Sequence, residues 1–383
     1  IKSATTGTGA ALERLFITGV SPVTMDDVTS GFNIGTNITN DSWFNDLVGF
    51  SENELREMLE YYKEQGVLQE SIDEIVAMMK PNYDNYCFSE DTLEQCMFNS
   101  DMALYFLKSF VLHHKKPKEI VDPNIRTDFN KLAYLIKLDH GLGENFSVIK
   151  EIAEQGEIIT DIVTHFSALE MTDPSNFKSL LFYFGLLSIK GVDMVGRPIL
   201  HVPNLVVREQ LFNFLIQGYI KHDIFKIDMN KMSALFENMA FRGDWKPLFD
   251  FIANAVREQS RIREYIEGEA HIKGFLLAYL GMYRYYQLYP EYELNKGFAD
   301  FFFKPSLSVP VLPPFTYLLE VKYAKAGASE KEIRALADEA REQLLRYSGD
   351  ELVAEAKAKG ELKLITIVWR SWELVLLEEV TLS

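Results

Sequence analysis

The chain has 383 residues, with 39 Lys and Arg against 56 Asp and Glu. The net charge of −17 argues against a protein that coats nucleic acid through a general basic surface, though not against a local basic groove, since patches make phosphate contacts. At 47% hydrophobic and 13% aromatic it is a globular chain long enough for two to four domains; no apolar run approaches the ~18 residues of a membrane helix, no signal segment opens it, and its two cysteines, Cys87 and Cys96, suggest neither a metal pattern nor a disulfide framework.

In chain order, the sequence opens at Ile1 in what reads as the end of a helix, taken as the continuation of a longer N-terminal part. Residues 14–20, RLFITGV, are a short apolar run that reads as a buried parallel strand, followed by a glycine-punctuated loop from Thr29 to Thr39. SENELREMLEYYKEQG starts with a capping box, Ser51 with Glu54, and ends at Gly66; Leu55, Leu59 and Tyr62 fall at helical spacing. SIDEIVAMMK, SDMALYFLKSFVLHH and RTDFNKLAYLIKL continue the helical pattern to about residue 140. SNFKSLLFYFGLLSIKG then predicts a helix running into a strand, GRPILHVPN a second strand closing a hairpin, and VVREQLFNFLIQGYI another helix. This is a winged-helix-like order, but the helix is short of Lys and Arg, which favours a helical adaptor with a β-wing over a nucleic-acid reader. Residues 228–260 are helical again.

The last third carries the chemistry. It reads as a long helix over 260–288, a short strand from Tyr292, strands at 299–303 and 317–323, a helix from Ser329 to Tyr347, a strand at 362–370 and a possible final strand at 373–382. That αβββαβ order predicts an α/β sandwich with a mixed sheet. In YLLEVKY, Glu320 and Lys322 alternate onto one side of a strand that is otherwise apolar on both faces, and charges there need partners. Asp300 on the neighbouring strand supplies a second carboxylate. Two such oxygens suit Mg²⁺ or Mn²⁺, and the lysine can orient or help deprotonate a bound water for in-line attack on a phosphodiester. Glu269 shares a helix face with Tyr265, Ile272, Leu276 and Leu280 and adds a third acidic group to the metal set; Gln343 and Tyr347, one helical turn apart, can both reach one site. Taken alone, Glu320 and Lys322 could simply neutralise each other. His271 reads as structural, and His113 and His114 as a solvated helix end.

At these residues the sequence resembles a known family. GEAHIKGFLLAYL, YELNKGFADFFFKP, YLLEVKY and REQLLRY resemble the PD-(D/E)XK nuclease domain at the C-terminus of bacterial AAA-ATPase-like proteins. RLFITGVSPVTMDDVTSGFNIGTNIT, LVGFSENEL, FNSDMALYFL, DPNIRTDFNKLAYL, FKSLLFYFGLLSIK and VPNLVVRE are similar to the preceding parts of that family. The resemblance implies a restriction-endonuclease-like fold, metal-site roles for Asp300, Glu320 and Lys322, and supporting roles for Glu269, Gln343 and Tyr347. It implies a γ-phosphate-sensing role for Thr18 and, more weakly, a second nucleotide sensor at Arg126, where an ordinary ion pair is the competing reading. The implied division is 1–50, remnant of an AAA-type core; 51–144, a helical lid; 145–225, the winged-helix-like segment; 226–259, a helical connector; and 260–383, the nuclease-like domain. No G-x-x-x-x-G-K-[ST] loop occurs: GVDMVGR at 191–197 lacks the lysine and reads as a turn, and TTGTG at 5–9 as a loop. ATP is therefore expected as a ligand of the intact protein only. The expectation is a cytoplasmic Mg²⁺- or Mn²⁺-dependent nuclease acting on nucleic acid of unspecified type, without a membrane and possible as a homo-oligomer; the alternative is an inactive nuclease-like interaction module of an ATP-driven switch.

Overall fold

A computed structural model describes residues 16, 23–24, 36–117, 121, 144–164, 166–167, 170–171, 173–221, 228–258, 268–283, 285–294, 297–306, 309, 311–358 and 360–381. The strand expected over 14–20 (Phe16 apart), most of the loop over 29–39, the helix over 126–138, Tyr265, and both nucleotide-sensor candidates, Thr18 and Arg126, lie outside the described residues. The chain divides into two compact units: Ile1–Pro117 with Val121–Val148 and Glu157–Val207, and Lys118–Ile120 with Ile149–Gly156 and Arg208–Ser383. Among the described residues no helix is long and apolar enough to cross a membrane.

The first unit contains β1 (Val23–Thr24), α1 (Glu52–Glu64), α2 (Ile72–Tyr83), α3 (Ser100–His113), the start of α4 (Glu144–Gln155), β2 (Glu157–Ile159), β3 (Phe166–Ser167), α5 (Pro174–Tyr183), β4 (Ser188–Val192), β5 (Pro198–His201) and the first residues of α6 (Leu205–Lys221). Helix α1 begins where its capping box dictates: Ser51 N–H donates to the Glu54 carboxylate at 2.8 Å, and Glu54 N–H to Ser51 Oγ at 3.2 Å. Helix α3 ends on His114 in the left-handed conformation, with His113 and His114 exposed. GVDMVGR is the β4–β5 turn. Its Asp193 accepts from the N–H groups of Val195 and Arg197 at 2.9 and 2.8 Å, and its glycine spacing serves chain reversal. Strand β2 completes a three-stranded sheet in the order β2-β5-β4; its three residues are too few for a period-two pattern to announce it.

The second unit continues through α7 (Met229–Arg242), α8 (Lys246–Glu258), α9 (Glu269–Leu280), β6 (Tyr286–Leu294), β7 (Gly297–Pro305), β8 (Phe315–Ala324), α10 (Glu330–Tyr347), α11 (Glu351–Ala358), β9 (Glu361–Arg370) and β10 (Glu373–Val380). The five strands form one sheet in the order β10-β9-β8-β7-β6, with β8 and β9 parallel and the other pairs antiparallel. This is the mixed-sheet α/β sandwich expected of the last third, with the restriction-endonuclease-like order αβββαβ extended by α11 and β10. Strand β8 is central and buried from Thr316 to Val321, which is why it reads apolar on both faces. One face packs Leu318 and Leu364 against Leu344 and Tyr347 of α10 and Val353 of α11. On the other, Tyr317 Oη donates to the Met239 carbonyl of α7 at 2.6 Å, and Trp245 Nε1 donates to Glu379 at 2.9 Å.

The helix expected over 260–288 needs correction at its end. It stops at Leu280, and β6 begins already at Tyr286 instead of Tyr292. Tyr286 and Leu288 are buried while Gln287 and Tyr289 are less so, and this inward alternation of bulky residues favours a strand over another helical turn.

Helix α7 closes on Gly243 at φ +69°, and a Cβ there would lie 2.8 Å from the Phe315 ring at the start of β8. Gly243→Ala is expected to cost about 1–2 kcal/mol from the left-handed backbone alone, and more from the clash. Urea denaturation of the two proteins measures it.

Candidate functional site

Strands β7 and β8 pair at Phe301–Leu319, Phe302–Leu318 and Phe303–Tyr317, and the ladder stops just before Asp300 and Glu320. Beyond that point side chains replace the backbone ladder. Val321 N–H donates to Asp300 Oδ2 at 2.7 Å, and Asp300 N–H reaches Glu320 Oε1 at 3.4 Å. Two carboxylates thus fill the gap where the strands part. On the other side of β7, Pro290 pairs with Phe301 and Tyr292 with Ala299, so the register sets Glu291 opposite Asp300, and Glu291 has a positive φ of 43°. Ala299 and Phe302, three residues apart, both join the cluster beneath α10, where strict alternation would separate them. The alternation of side chains is therefore broken around Asp300.

Both acids are buried, Asp300 at 6% and Glu320 at 2% exposure. Burial raises the Glu320 carboxyl well above its ordinary value of 4.5, and neighbouring Asp300 raises it further; Lys322 only partly opposes them. The Lys322 ammonium is 3.9 Å from Glu320 Oε2 and 3.0 Å from Glu339 Oε1 on α10. Helix α10 runs against the direction of β8: Ala324 packs with Ile333 and Ala337, Lys322 meets Glu339, and Leu318 packs with Leu344 and Tyr347. This progression sets Gln343 at the level of Glu320, whose neighbour on β9 is Thr366. Gln343 Oε1 and Thr366 Oγ1 are buried without a hydrogen-bond partner among the described residues. Tyr347, one turn beyond Gln343, lies in the apolar cluster with Leu294 and Phe302, its hydroxyl against Gly297. The two side chains that share a helix face therefore do not share the acid pair.

The second oxygen of Asp300 looks into a cleft of about 530 Å³ lined by Glu154, Glu269, Lys273, Leu277, Glu291 and Asp300, among others. Lys273 is its centre. Its ammonium is 2.5 Å from Asp300 Oδ1 and 3.0 Å from both Glu269 Oε1 and Glu291 Oε1. Burial works against that charge, but Asp300 and Glu291 outweigh it and raise the lysine above its ordinary value. Glu154 enters from α4, which passes close to α9 because residue 274 is glycine: a Cβ there would collide with the Glu154 carboxylate and the Lys150 stem. Burial, reinforced by Glu291 and partly offset by Lys150, pushes Glu154 up to about 7.

Glu269 is the first residue of α9 and half-exposed at this cleft, so the buried stripe of Ile272 and Leu276 excludes it. It reaches Asp300 only through Lys273. Among the described residues no three His, Cys, Asp or Glu side chains converge as a metal group. The donors still suit a hard cation: two adjoining carboxylates, one of them held above its ordinary pKa by burial and then by the other, and the amide oxygen of Gln343, without a partner among the described residues.

Three cleft residues escape a reading of motifs. The Glu269–Lys273 spacing of four is visible in the sequence, in the favourable order for a helical ion pair. Glu291 is visible only once the β6–β7 register is known, and Glu154 has no sequence signal linking it to Asp300.

Residues 267–379 match the family model of the PD-(D/E)XK nuclease superfamily. This segment is a PD-(D/E)XK nuclease superfamily domain. It holds Glu269, Lys273, Asp300, Glu320, Lys322 and Gln343, whereas Glu154 comes to the cleft from outside it. No curated protein matches the chain.

The raised Glu320 carboxyl makes a stability prediction for this PD-(D/E)XK domain. The folded state holds the Glu320 proton more tightly than the unfolded state, so its contribution is fully present below about 4.5 and is lost as pH rises toward the folded value. Glu320→Gln should therefore melt higher than the parent protein at neutral pH without metal and decline less between pH 5 and 8. Calorimetric scans across that range check both, and a lower melting temperature at pH 8 contradicts the assignment.

Proposed function

We propose that the domain is a Mg²⁺- or Mn²⁺-dependent nuclease. The observation that carries the reading is the buried meeting of Asp300 and Glu320 at the parting of β7 and β8, inside a PD-(D/E)XK superfamily match. Asp300 and Glu320 would hold the cation, with Glu269 as an outer acid and Gln343, whose amide oxygen is buried without a partner among the described residues, as a further oxygen donor. A bound divalent ion supplies charge neutralisation at the phosphate and an acidified water. The chain's own work is positional. Val321 N–H fixes one Asp300 oxygen. Lys322, tethered by Glu339, keeps a proton-donating ammonium beside Glu320. The other Asp300 oxygen, paired with Lys273, borders the cleft where a phosphodiester would enter. The substrate is nucleic acid, DNA or RNA.

The wider reading places this domain under the control of an AAA-type ATPase in the intact protein, cytoplasmic and bacterial, with ATP as the switch ligand, Thr18 and Arg126 as its sensors, and homo-oligomeric assembly. The sequence resemblance of the motifs between residues 14 and 209 supports it. A second reading has its own observation: Lys273 already satisfies Glu269, Glu291 and Asp300, as it would in a nuclease-like fold kept as an inert interaction module.

Purified protein incubated with single- and double-stranded DNA and with RNA in Mn²⁺ or Mg²⁺ should give metal-dependent cleavage. Asp300→Ala should abolish it, and Lys322→Ala should lower it by about 10²-fold or more. Full activity in either variant refutes the catalytic assignment; no cleavage of any substrate and no bound Mn²⁺ favours the inert module.

A further inference from the structure

Lys273 has an arrangement that an ordinary surface ion pair lacks. Its three ammonium hydrogens face three carboxylates on three elements: Glu269 on α9, Glu291 on β6 and Asp300 on β7. Only 18% of the side chain is exposed, and Glu269 and Asp300 are two of the acids assigned above to the cation. A divalent ion held by Asp300 and Glu320, with Glu269 as its outer acid, needs at Asp300 Oδ1 the volume that the ammonium fills, and two cations at contact distance repel strongly at a partly buried site. Lys273 also lines the open cleft, so its flexible stem has space to swing out.

We infer that Lys273 is a built-in competitor for the metal, a tethered cation that holds the acid cluster together in the metal-free protein and must leave Asp300 for the ion to bind. This rests on the metal reading above. The competition sets a threshold: the site loads only when the ion's gain exceeds that of three lysine ion pairs. It also gives the four acids that share this cleft, Glu154, Glu269, Glu291 and Asp300, a positive charge in their midst. A purely stabilising lysine would be indifferent to metal, and a competitor is not.

Mn²⁺ titration followed by electron paramagnetic resonance of the free ion tests the inference on the whole chain. Lys273→Met, which keeps length and removes charge, should bind Mn²⁺ at least about tenfold more tightly than the parent, while Lys273→Arg binds like the parent or more weakly. Adding Asp300→Asn to Lys273→Met should remove the gain. In the unmutated protein, Mn²⁺ should at least double the rate at which acetic anhydride modifies Lys273, followed by peptide mass spectrometry, with surface lysines such as Lys246 unchanged; this arm needs no variant to fold. Equal Mn²⁺ affinity in Lys273→Met and the parent, or unchanged or slower acetylation of Lys273 in a protein that binds Mn²⁺, overturns the competitor and leaves the metal reading standing. Absence of Mn²⁺ binding in the parent and in a cooperatively melting Lys273→Met overturns both.

Discussion

Two carboxylates buried side by side are costly, and the C-terminal unit is arranged around that cost. Asp300 and Glu320 sit where the β7–β8 ladder ends, and each accepts a backbone N–H that regular pairing would have used for the sheet. The hydrogen bonds lost to the ladder are thus recovered by the acids, which keeps the backbone satisfied while the strands part. What they cannot recover is charge balance. One proton, held by Glu320 at a raised pKa, is the response of the isolated pair; a cation is the other.

Two lysines flank the pair and differ in role because they differ in partners. Lys322 belongs to the sheet, stands on the α10 side and is shared with Glu339 at its surface end. Lys273 belongs to α9, stands on the cleft side and is saturated by acids. Asp300 bridges the sheet and the cleft, one oxygen bound to Val321 N–H and the other to Lys273. This gives an acidic cleft in an acidic protein a consistent electrostatic logic: approach of a phosphate depends on cations lodged among the carboxylates, since the protein's average field repels it.

The elements of this unit were legible because their periods are strong. The alternation of YLLEVKY placed Glu320 and Lys322 on one side, and the αβββαβ order placed Asp300 on the adjacent strand. In the first unit Ser51 marks a helix start by a capping box that the structure contains, and the structure has a second such box at Ser329. The pattern failed where two periods competed. The run from Gly281 to Leu288 continues an apolar helix in sequence, but in space a strand starts at Tyr286, with Tyr286 and Leu288 buried on alternate positions. At Tyr347 helical spacing was not enough: one turn from Gln343 is close along the axis, yet the tyrosine packs into the apolar cluster with Leu294, Ala299 and Phe302.

Local chemistry was sufficient to put Glu320 and Lys322 on one side of their strand, because alternation along a strand is a property of the backbone and needs no tertiary knowledge. The cleft is another matter. Glu291 meets Asp300 only through hairpin register and a positive φ, and Glu154 arrives from a helix more than a hundred residues earlier because Gly274 lets two helices approach. Which acids share a cation is decided by distances of three to four ångströms between remote segments, and such distances are set by packing, to which no periodic signal in the chain corresponds.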